Sequence, residues 1–486
     1  MARDNKLRID RIVIEASEDE LTGHAGLVAL MQWLGRKKVR ALLDARLPQP
    51  AAGNGYRASD MVLALWVNIL VHGSDASLGT LDALGENSAA VRVAGMKALP
   101  SSSAVGDWLR RMGNVELQGS KEQAVHGGYA DGMQRMQNAF YEVAALVLRA
   151  LGSEAPPLLD FDATVIEESK AYSRIMYTGE RGTMAYLGYA GRVCVMAELE
   201  PGNHSPNDHA ARRTISCIRL CRKAALAIKA TRADAASYVA GLVATCQKRG
   251  IRFYIRAPRD AAVKATLAAQ PEHAWRHTGV RQAGARVPRK VELGRAAHAL
   301  NGVTAPFMLV ARRETIVSAA PPGDLVPDAP VVERTYWAVA TNDAVSTDEQ
   351  VLEIYNARGD SENRHKELKA DLNLDRLPCG GPHGLQPNRI YAYACAMLYN
   401  LLELYKRDCL GRAAQSMRLP TVRRTQFAVA AKVRCHSHVL NLKLASYAAD
   451  AAAWLRAAVQ VIRRRVKPFV FPRLAPAYGA FMYRRL

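Results

Sequence analysis

The sequence predicts an α/β core with a β-rich insertion, flanked by a helical region on each side. Residues 158–166, LLDFDATVI, alternate polar and apolar side chains, which is typical of a strand with one covered face. Farther along, ALAIKATRAD (225–234) and IRFYIRA (251–257) are typical of strands, and AASYVAGLVATCQKRG (235–250) between them is typical of a helix. This order predicts a β-α-β unit with parallel strands. Both flanks have a helical texture instead.

Composition places the chain among globular proteins, because 49% of its residues are hydrophobic and 23% are charged. Its 486 residues leave room for roughly two to four domains. The formal net charge of +21 is unevenly placed: residues 1–150 carry 17 Lys and Arg against 16 Asp and Glu, whereas residues 401–486 carry 17 against 3. A basic tail predicts a polyanionic partner, nucleic acid above all, although an Arg-rich soluble protein would show the same composition.

Export and membrane signals are not evident in the sequence. The start, MARDNKLRID, is too polar for a signal peptide, and the longest apolar runs, from Met61 and from Tyr393, are too short to span a bilayer. The 8 Cys form no CxxC pair and indicate neither a zinc cluster nor a disulfide framework. We therefore expect a cytoplasmic protein with reduced thiols and no membrane partner.

Changes of texture predict five regions. Residues 1–150 form a helical N-terminal domain, whose turns suit either DNA binding by a helix-turn-helix or a plain bundle. Residues 151–257 form the first part of the core, with a further strand in GRVCVMAELE. Residues 258–345 form a β-rich inserted subdomain, with strand candidates RKVELGRA, FMLVARRE and RTYWAVATN and a Pro-rich loop PPGDLVPDAP. The core resumes at 346–400, and 401–486 form a basic helical C-terminal region.

Three acidic residues of the predicted core could form a metal site. Asp162 lies inside an apolar strand, Asp234 ends another strand, and Glu362 lies on a helix. Three carboxylates converging near strand ends would suit Mg²⁺ or Mn²⁺, and two such ions can activate a water and stabilise the leaving oxygen of a phosphodiester. Each acid also has an ordinary alternative: a strand Asp can serve a turn or a hydrogen bond, and Glu362 can pair with Lys366 on the surface.

Asp234 is preferred over Asp208 and Asp260 as the second acid. Asp208 follows a Gly/Asn/Pro turn, where Asp is common for backbone reasons. Asp260 lies in a predicted loop after the strand 251–257. Asp234 alone joins the carboxyl end of a strand to the start of a helix, where α/β sheets tend to place ligand groups, although it could also cap that helix.

The stretch YNARGDSENRHKELK (355–369) sets one acid among cations on a predicted helix. Tyr355, Arg358, Glu362 and Lys369 fall at offsets of 0, 3, 7 and 14 residues, which return to one face of a single helix. An acid on that face could hold a metal ion. Its cationic neighbours Arg358, Lys366 and Lys369 could hold DNA phosphates.

This stretch resembles the Y-x2-R-x3-E-x6-K signature of DDE transposases from bacterial insertion sequences, with its four positions filled by Tyr355, Arg358, Glu362 and Lys369. LNLDRLPC is similar to the block that follows the signature, and WAVATND resembles the strand before the glutamate helix. DFDATVI and TRAD resemble the two aspartate blocks, which match Asp162 and Asp234. The residues after TRAD depart from the usual Ser-Gly-aromatic pattern, because Ala-Ala-Ser-Tyr stands there.

The resemblance implies an RNase H-like catalytic core interrupted by the insertion. It implies that Mg²⁺ or Mn²⁺ supports cutting and rejoining of DNA at terminal inverted repeats, by transesterification without a covalent enzyme intermediate. It further implies a homodimer in a synaptic complex with element ends and target DNA, in a bacterial cytoplasm and associated with the nucleoid. Tyr355, Arg358 and Lys369 would touch the cleaved end, and Trp275 or Trp337 could stack a flipped base or simply be buried.

A basic cluster near the C-terminus is predicted to contact phosphates without reading sequence, with a solvated charged face as the alternative. Its members are Arg463, Arg464, Arg465 and Lys467.

Two other functions stay open: an RNase H-like nuclease without strand transfer, and a DNA-binding relative that lost catalysis. Metal-dependent nicking distinguishes the transposase and the nuclease from the DNA-binding relative. Joining of a 3′ hydroxyl to target DNA distinguishes the transposase from the nuclease.

Overall fold

The computed structural model describes residues 18–50, 55–113, 129, 131–152, 157–205, 207, 209–281, 289–318, 331–437 and 439–471. Thirteen strands lie within this part of the chain: β1 Leu21–Thr22, β2 Leu158–Glu167, β3 Arg174–Ile175, β4 Arg181–Ala190, β5 Val193–Pro201, β6 Ala230–Ala233, β7 Arg252–Arg256, β8 Arg276–Arg281, β9 Arg289–His298, β10 Phe307–Ser318, β11 Val331–Thr341, β12 Ala431–His436 and β13 Val439–Leu444. The α-helices of the same residues are α1 Leu27–Arg36, α2 Val39–Arg46, α3 Ala58–His72, α4 Thr80–Glu86, α5 Ser88–Val93, α6 Ser102–Gly113, α7 Gly132–Leu151, α8 Ala210–Lys223, α9 Ala240–Lys248, α10 Ala261–Ala268, α11 Asp348–Asn356, α12 Gly359–Lys366, α13 Leu385–Tyr405, α14 Leu419–Val422 and α15 Ala449–Arg465.

A ten-stranded mixed sheet forms the centre of the fold, in the order β3-β4-β2-β6-β7-β11-β10-β9-β8 with β5 paired to β4. Strands β2, β6 and β7 are parallel, and α9 connects β6 to β7, so the predicted β-α-β unit is confirmed. The unit is shorter than predicted: β6 begins at Ala230 rather than at residue 225, and a 3₁₀ turn, Ala235–Ser237, precedes α9. The parallel strands therefore bring their carboxyl ends to one edge of the sheet.

The strands of the predicted insertion continue the central sheet rather than form a separate subdomain. All three strand candidates are confirmed, as β9, β10 and β11, and β11 pairs with β7 at Val339 and Arg256. The Pro-rich loop 321–330 lies outside the described residues. The sheet thus runs without interruption from the first aspartate strand into the insertion.

Helices α3, α6 and α7 of the N-terminal region pack against α13, most of whose residues are buried, and α15 of the C-terminal region packs against α1. The indole N–H of Trp66 in α3 donates to the carbonyl of Ala394 in α13 at 2.8 Å. The prediction of a helical region at 401–486 is incomplete and that of an all-α domain at 1–150 is wrong, because β12 and β13 form a hairpin that pairs with β1 near the N-terminus. Backbone pairing between the chain's two flanks thus adds to the packing of their helices.

Among the helices of the described residues, none alone is long and apolar enough to cross a membrane. The segments Ala58–Asp75 and Thr80–Glu86 reach that length and hydropathy only as a pair, with a bend of 117° between them.

Candidate active site

Two of the predicted acids lie side by side at the carboxyl edge of the parallel strands. Phe161 of β2 pairs with Ala233 of β6, and the residues that follow these two are Asp162 and Asp234. Backbones of neighbouring strands are about 4.8 Å apart, and paired residues point to the same face. The parallel pairing of β2 with β6 therefore places both carboxylates at one point of the fold.

The carboxyl of Asp234 lies in an environment that disfavours its charge. Burial and the nearby charge of Asp162 raise the pKa of Asp234, and Arg358 and Ser237 only partly offset this. The Ser237 hydroxyl donates to Asp234 at 3.4 Å. Asp234 makes no side-chain capping hydrogen bond, and α9 begins six residues later, at Ala240. Asp234 therefore does not cap α9, whose N-cap residue is Val239.

Arg358 joins the first aspartate to the glutamate. Its Nη2 atom lies 3.1 Å from Oδ2 of Asp162, and its Nη1 atom lies 3.1 Å from Oε1 of Glu362. Burial opposes the charge of Arg358, but the neighbouring acids outweigh it and raise the pKa of the guanidinium above its usual value. Arg358 is therefore a fixed positive charge at the acidic edge of the sheet.

The signature stretch does not form the single helix that its spacing predicts. Helix α11 ends at Asn356, a turn follows at 357–358, α12 runs from Gly359, and residues Glu367–Asp371 form a π-turn. The long-range cause of the break is a hydrogen bond: Nη1 of Arg232 donates to the carbonyl of Ile354 at 2.7 Å. The N–H of Arg358, which would bond to that carbonyl in a continuous helix, donates to Tyr355 instead.

Beneath this break lies a buried ion cluster that sequence reasoning did not identify. Arg232 of β6 donates to both carboxylate oxygens of Asp160 in β2, at 2.7 and 2.8 Å. Arg364 of α12 approaches the same carboxylate at 3.6 Å. The alternation of β2 places Asp160 on the face of Asp162, so a second acid on that face was the available signal. The cluster joins the end of α11 and the second half of α12 to the sheet.

The other signature residues occupy different surroundings. Tyr355 packs edge-on against Trp337, with ring centroids 5.5 Å apart, and burial raises the pKa of its hydroxyl. The ammonium of Lys369 donates to the carbonyl of Val165 in β2 at 2.5 Å, so this side chain supports the strand that carries Asp162. Lys366 is exposed at the end of α12. Their contacts with DNA stay predictions.

The other residues considered from the sequence have structural roles or lie outside the described residues. Asp260 is not in a plain loop, because it caps α10 by accepting from the N–H of Val263 at 2.8 Å. Asp208 lies outside the described residues. Trp275 is buried, with the guanidinium of Arg313 over its ring at 4.6 Å. Asp234 thus remains the preferred second acid, and Trp275 has no free face for a base.

The basic cluster at the C-terminus is solvent-exposed. Arg463, Arg464 and Arg465 form the last turn of α15, Lys467 follows it, and all four side chains are exposed. An exposed cluster satisfies the requirement for phosphate contact but equally suits a solvated face. Contact with DNA stays a prediction.

The aspartate pair fits a divalent cation, whereas Glu362 does not converge on it. Burial and then the charge of Asp162 raise the pKa of Asp234, and a hard divalent cation bound by the carboxylate oxygens would offset both effects. Glu362 lies on the other side of Arg358, and 59% of its side chain is exposed. No group of three or more His, Cys, Asp or Glu suited to one metal ion occurs in the described part of the chain. Two of the three predicted ligands are therefore together, with an arginine where the third would join.

Fold and site define an α/β protein with paired carboxylates at the carboxyl edge of its parallel strands, the type of site that suits metal-dependent phosphodiester chemistry. Residues 5–467 match the family Transposase DDE domain group 1, and the chain belongs to this family. DDE transposases are enzymes that cut DNA and use divalent metal ions.

A solved structure is similar to the chain over most of its length. The cryo-EM structure of a piggyBac transposase synaptic complex with hairpin DNA matches at 10% sequence identity, over 95% of this chain and 90% of that chain, with a TM-score of 0.40. No curated protein sequence matches the chain.

Proposed function

We propose that the protein is the transposase of a bacterial insertion sequence, with an RNase H-like core that cuts and rejoins DNA at the element's terminal inverted repeats. One observation carries the proposal: in a member of this family, Asp162 and Asp234 are neighbours on adjacent parallel strands, where the pKa of Asp234 is raised. Desolvated neighbouring carboxylates of this kind are typical of functional sites rather than of surface ion pairs.

Asp162 and Asp234 would hold Mg²⁺ or Mn²⁺, and Glu362 would complete the ligand set once its bond to Arg358 is released. The bound ions supply activation of a water or 3′ hydroxyl and stabilisation of the leaving oxygen during phosphodiester hydrolysis and transesterification. Glu362 is suited to such a move because it lies on the first turns of α12, next to the break in the helix, and is largely exposed.

The cationic residues around the site would bind and orient DNA. Arg358 now balances the charges of Asp162 and Glu362, and an incoming phosphate would compete for the same guanidinium. Lys366 and Lys369, with Tyr355 against Trp337, would line the path of the cleaved strand. The exposed C-terminal cluster around Arg463 would add phosphate binding that does not depend on sequence.

Two further parts of the proposal concern assembly and location. A transposase must bring two element ends together, so we propose a homodimer in a synaptic complex that also takes up target DNA. We propose that it acts in the cytoplasm, in association with the nucleoid. The net charge of +21 supports binding to a polyanion of this kind.

The proposal is tested with a plasmid that carries the DNA flanking the gene, incubated with the protein and Mg²⁺ or Mn²⁺. We expect nicking at the element ends and joining of the resulting 3′ hydroxyl to target DNA, and we expect Asp162→Asn and Asp234→Asn to abolish both. Asp260→Asn is the matched control, because it makes the same change at an acid that caps a helix, and we expect it to keep cleavage within about tenfold.

The outcomes separate the alternatives. Nicking without joining would replace transposase by nuclease, and binding without nicking would indicate a relative that has lost catalysis. Full cleavage by Asp234→Asn would overturn the site itself.

A further inference from the structure

A second charged feature lies on the same face of the sheet, next to the aspartates. The strand register places an arginine next to the second aspartate. Ala233 of β6 pairs with Ile255 of β7, and the residues that follow these two are Asp234 and Arg256. One strand spacing, about 4.8 Å, separates their backbones. Arg256 therefore stands beside the second aspartate at the carboxyl edge.

The insertion supplies the rest of this feature. Arg256 pairs with Val339 of β11, and Trp337 lies two residues from Val339 and so points to the same face. Trp337 pairs in turn with Arg312 of β10. The face therefore presents the two aspartates, then Arg256, then Trp337 and Arg312.

Contacts between the side chains agree with the register. The guanidinium of Arg256 lies over the Trp337 ring at 4.3 Å, and that of Arg312 lies at 5.6 Å from the same ring. Tyr355 contacts the edge of Trp337, and its hydroxyl is within electrostatic range of both aspartates and of Arg256. The arginine pair and the acids therefore belong to one continuous surface.

The two guanidiniums have unused donors. Nη1 of Arg256 and Nε of Arg312 are buried and have no hydrogen-bond partner among the described residues. Arg256 forms no ion pair with a carboxylate of that part of the chain, while Arg312 has Glu314 at 3.3 Å. Burial lowers the pKa of Arg256 to about 10, so it is still charged at neutral pH. Both side chains are half-buried, and an anion here would accept from these buried donors and balance the charge of Arg256.

We propose that Arg256 and Arg312, held against Trp337, bind the sugar–phosphate backbone of the DNA strand that enters at the aspartate pair. The identity of the anion rests on the proposed function. Both guanidiniums lie against the Trp337 ring, so in this proposal Trp337 positions the phosphate ligands. The insertion thereby contributes to substrate binding through the sheet that it extends.

The experiment measures DNA affinity against salt concentration, in EDTA so that cleavage plays no part. The probes are two fluorescein-labelled duplexes, one of the DNA flanking the gene and one of arbitrary sequence, followed by fluorescence anisotropy. We expect Arg256→Gln/Arg312→Gln to weaken binding of both duplexes and to flatten the slope of log affinity against log salt by about 0.9 for each phosphate that the variant no longer binds. Lysine at both positions should keep the slope, because the charge is retained.

Arg252→Gln is the matched control. Arg252 lies at the opposite end of the strand that carries Arg256 and pairs with Asp343 at 3.4 Å. The salt slope of this variant should equal that of the wild type. An unchanged slope in the double glutamine variant, with or without a lower melting temperature, would show that the arginines only pack against Trp337 and would overturn the inference. If that variant does not fold, Arg312→Gln alone must flatten the slope, and failure to do so has the same meaning.

The proposed function can fail separately. If the double glutamine variant flattens the slope but the wild-type protein never cleaves DNA, the phosphate site is supported and the proposal of a transposase is refuted. A wild-type protein that binds neither duplex would overturn both.

Discussion

Removing Arg232 should destabilise the protein far more than removing a surface arginine. Its guanidinium donates twice to Asp160 and once to the carbonyl of Ile354, and the side chains of Arg232 and Asp160 are only 7% and 2% exposed. Arg232→Met would leave the Asp160 carboxylate buried with only Arg364, at 3.6 Å, nearby. Breaking one half of a buried ion pair costs about 3–5 kcal/mol, a large part of the roughly 5–15 kcal/mol that keeps a protein folded.

The assay is chemical unfolding of Arg232→Met, Asp160→Leu and the double variant. The double variant should recover most of the loss, because replacing both members of a buried pair by apolar residues is often nearly neutral. As a control, Arg110→Met removes the exposed partner of Asp107 and should change the free energy of unfolding by less than about 1 kcal/mol. A loss below about 1 kcal/mol for Arg232→Met, or a double variant as unstable as the sum of the singles, would refute the reasoning.

The pKa of Asp234 is raised in the folded protein, so protonation of this carboxyl stabilises the fold. That stabilisation is fully present below about pH 3.9, the pKa of an unfolded Asp, and is lost as the pH rises through the raised pKa. Asp234→Asn should therefore melt at a higher temperature than the metal-free wild type at neutral pH, with the gain fading on acidification; a lower melting temperature at neutral pH contradicts this. Glu362→Gln removes charge while keeping hydrogen bonding, so filter binding should show DNA affinity that is unchanged or higher, while cleavage falls by orders of magnitude; wild-type cleavage would exclude it as a ligand. Alanine at all four positions of the C-terminal cluster should weaken binding to specific and random DNA alike and flatten the salt slope by up to about 0.9 for each phosphate released, whereas an unchanged slope argues for a solvated face.

The place of Asp234 at the carboxyl end of a parallel strand could be predicted from sequence because it depends on local order, whereas Asp162 comes beside it through the long-range pairing of β2 with β6. A strand ending in an acid, followed by a helix and a parallel strand, places that acid at the carboxyl edge whatever the rest of the chain does. The strands of the insertion were predictable for the same reason, since alternation within each segment reports its own covered face.

The break in the signature helix could not be predicted from its spacing. It depends on Arg232, which lies 122 residues before Ile354 and binds its carbonyl. Asn356 and Gly359, on either side of the break, have low helix propensity, but many helices tolerate such residues. The contact of Arg358 with Glu362 is an i,i+4 pair that helical spacing does predict, whereas its contact with Asp162 is long-range.

Two other parts of the sheet structure were missed for different reasons. Strand β4 is buried along nearly its whole length, so it shows no alternation that could distinguish its faces. The β12–β13 hairpin did carry a signal, because VLNLKL alternates between exposed and partly buried positions. A segment this short, in a region of helical texture, is ambiguous between strand and helix until its pairing partners are known.

Binding of Mn²⁺, followed by its electron paramagnetic resonance signal, tests the central claim most directly, because it reports the aspartate pair without requiring DNA or catalysis. The claim is that Asp162 and Asp234 together hold a divalent cation. The wild-type protein should bind Mn²⁺, and Asp162→Asn and Asp234→Asn should each weaken that binding by at least about tenfold, a difference of about 1.4 kcal/mol, whereas Asp260→Asn should bind as the wild type does. Equal Mn²⁺ affinity in the wild type and both aspartate variants would contradict the account.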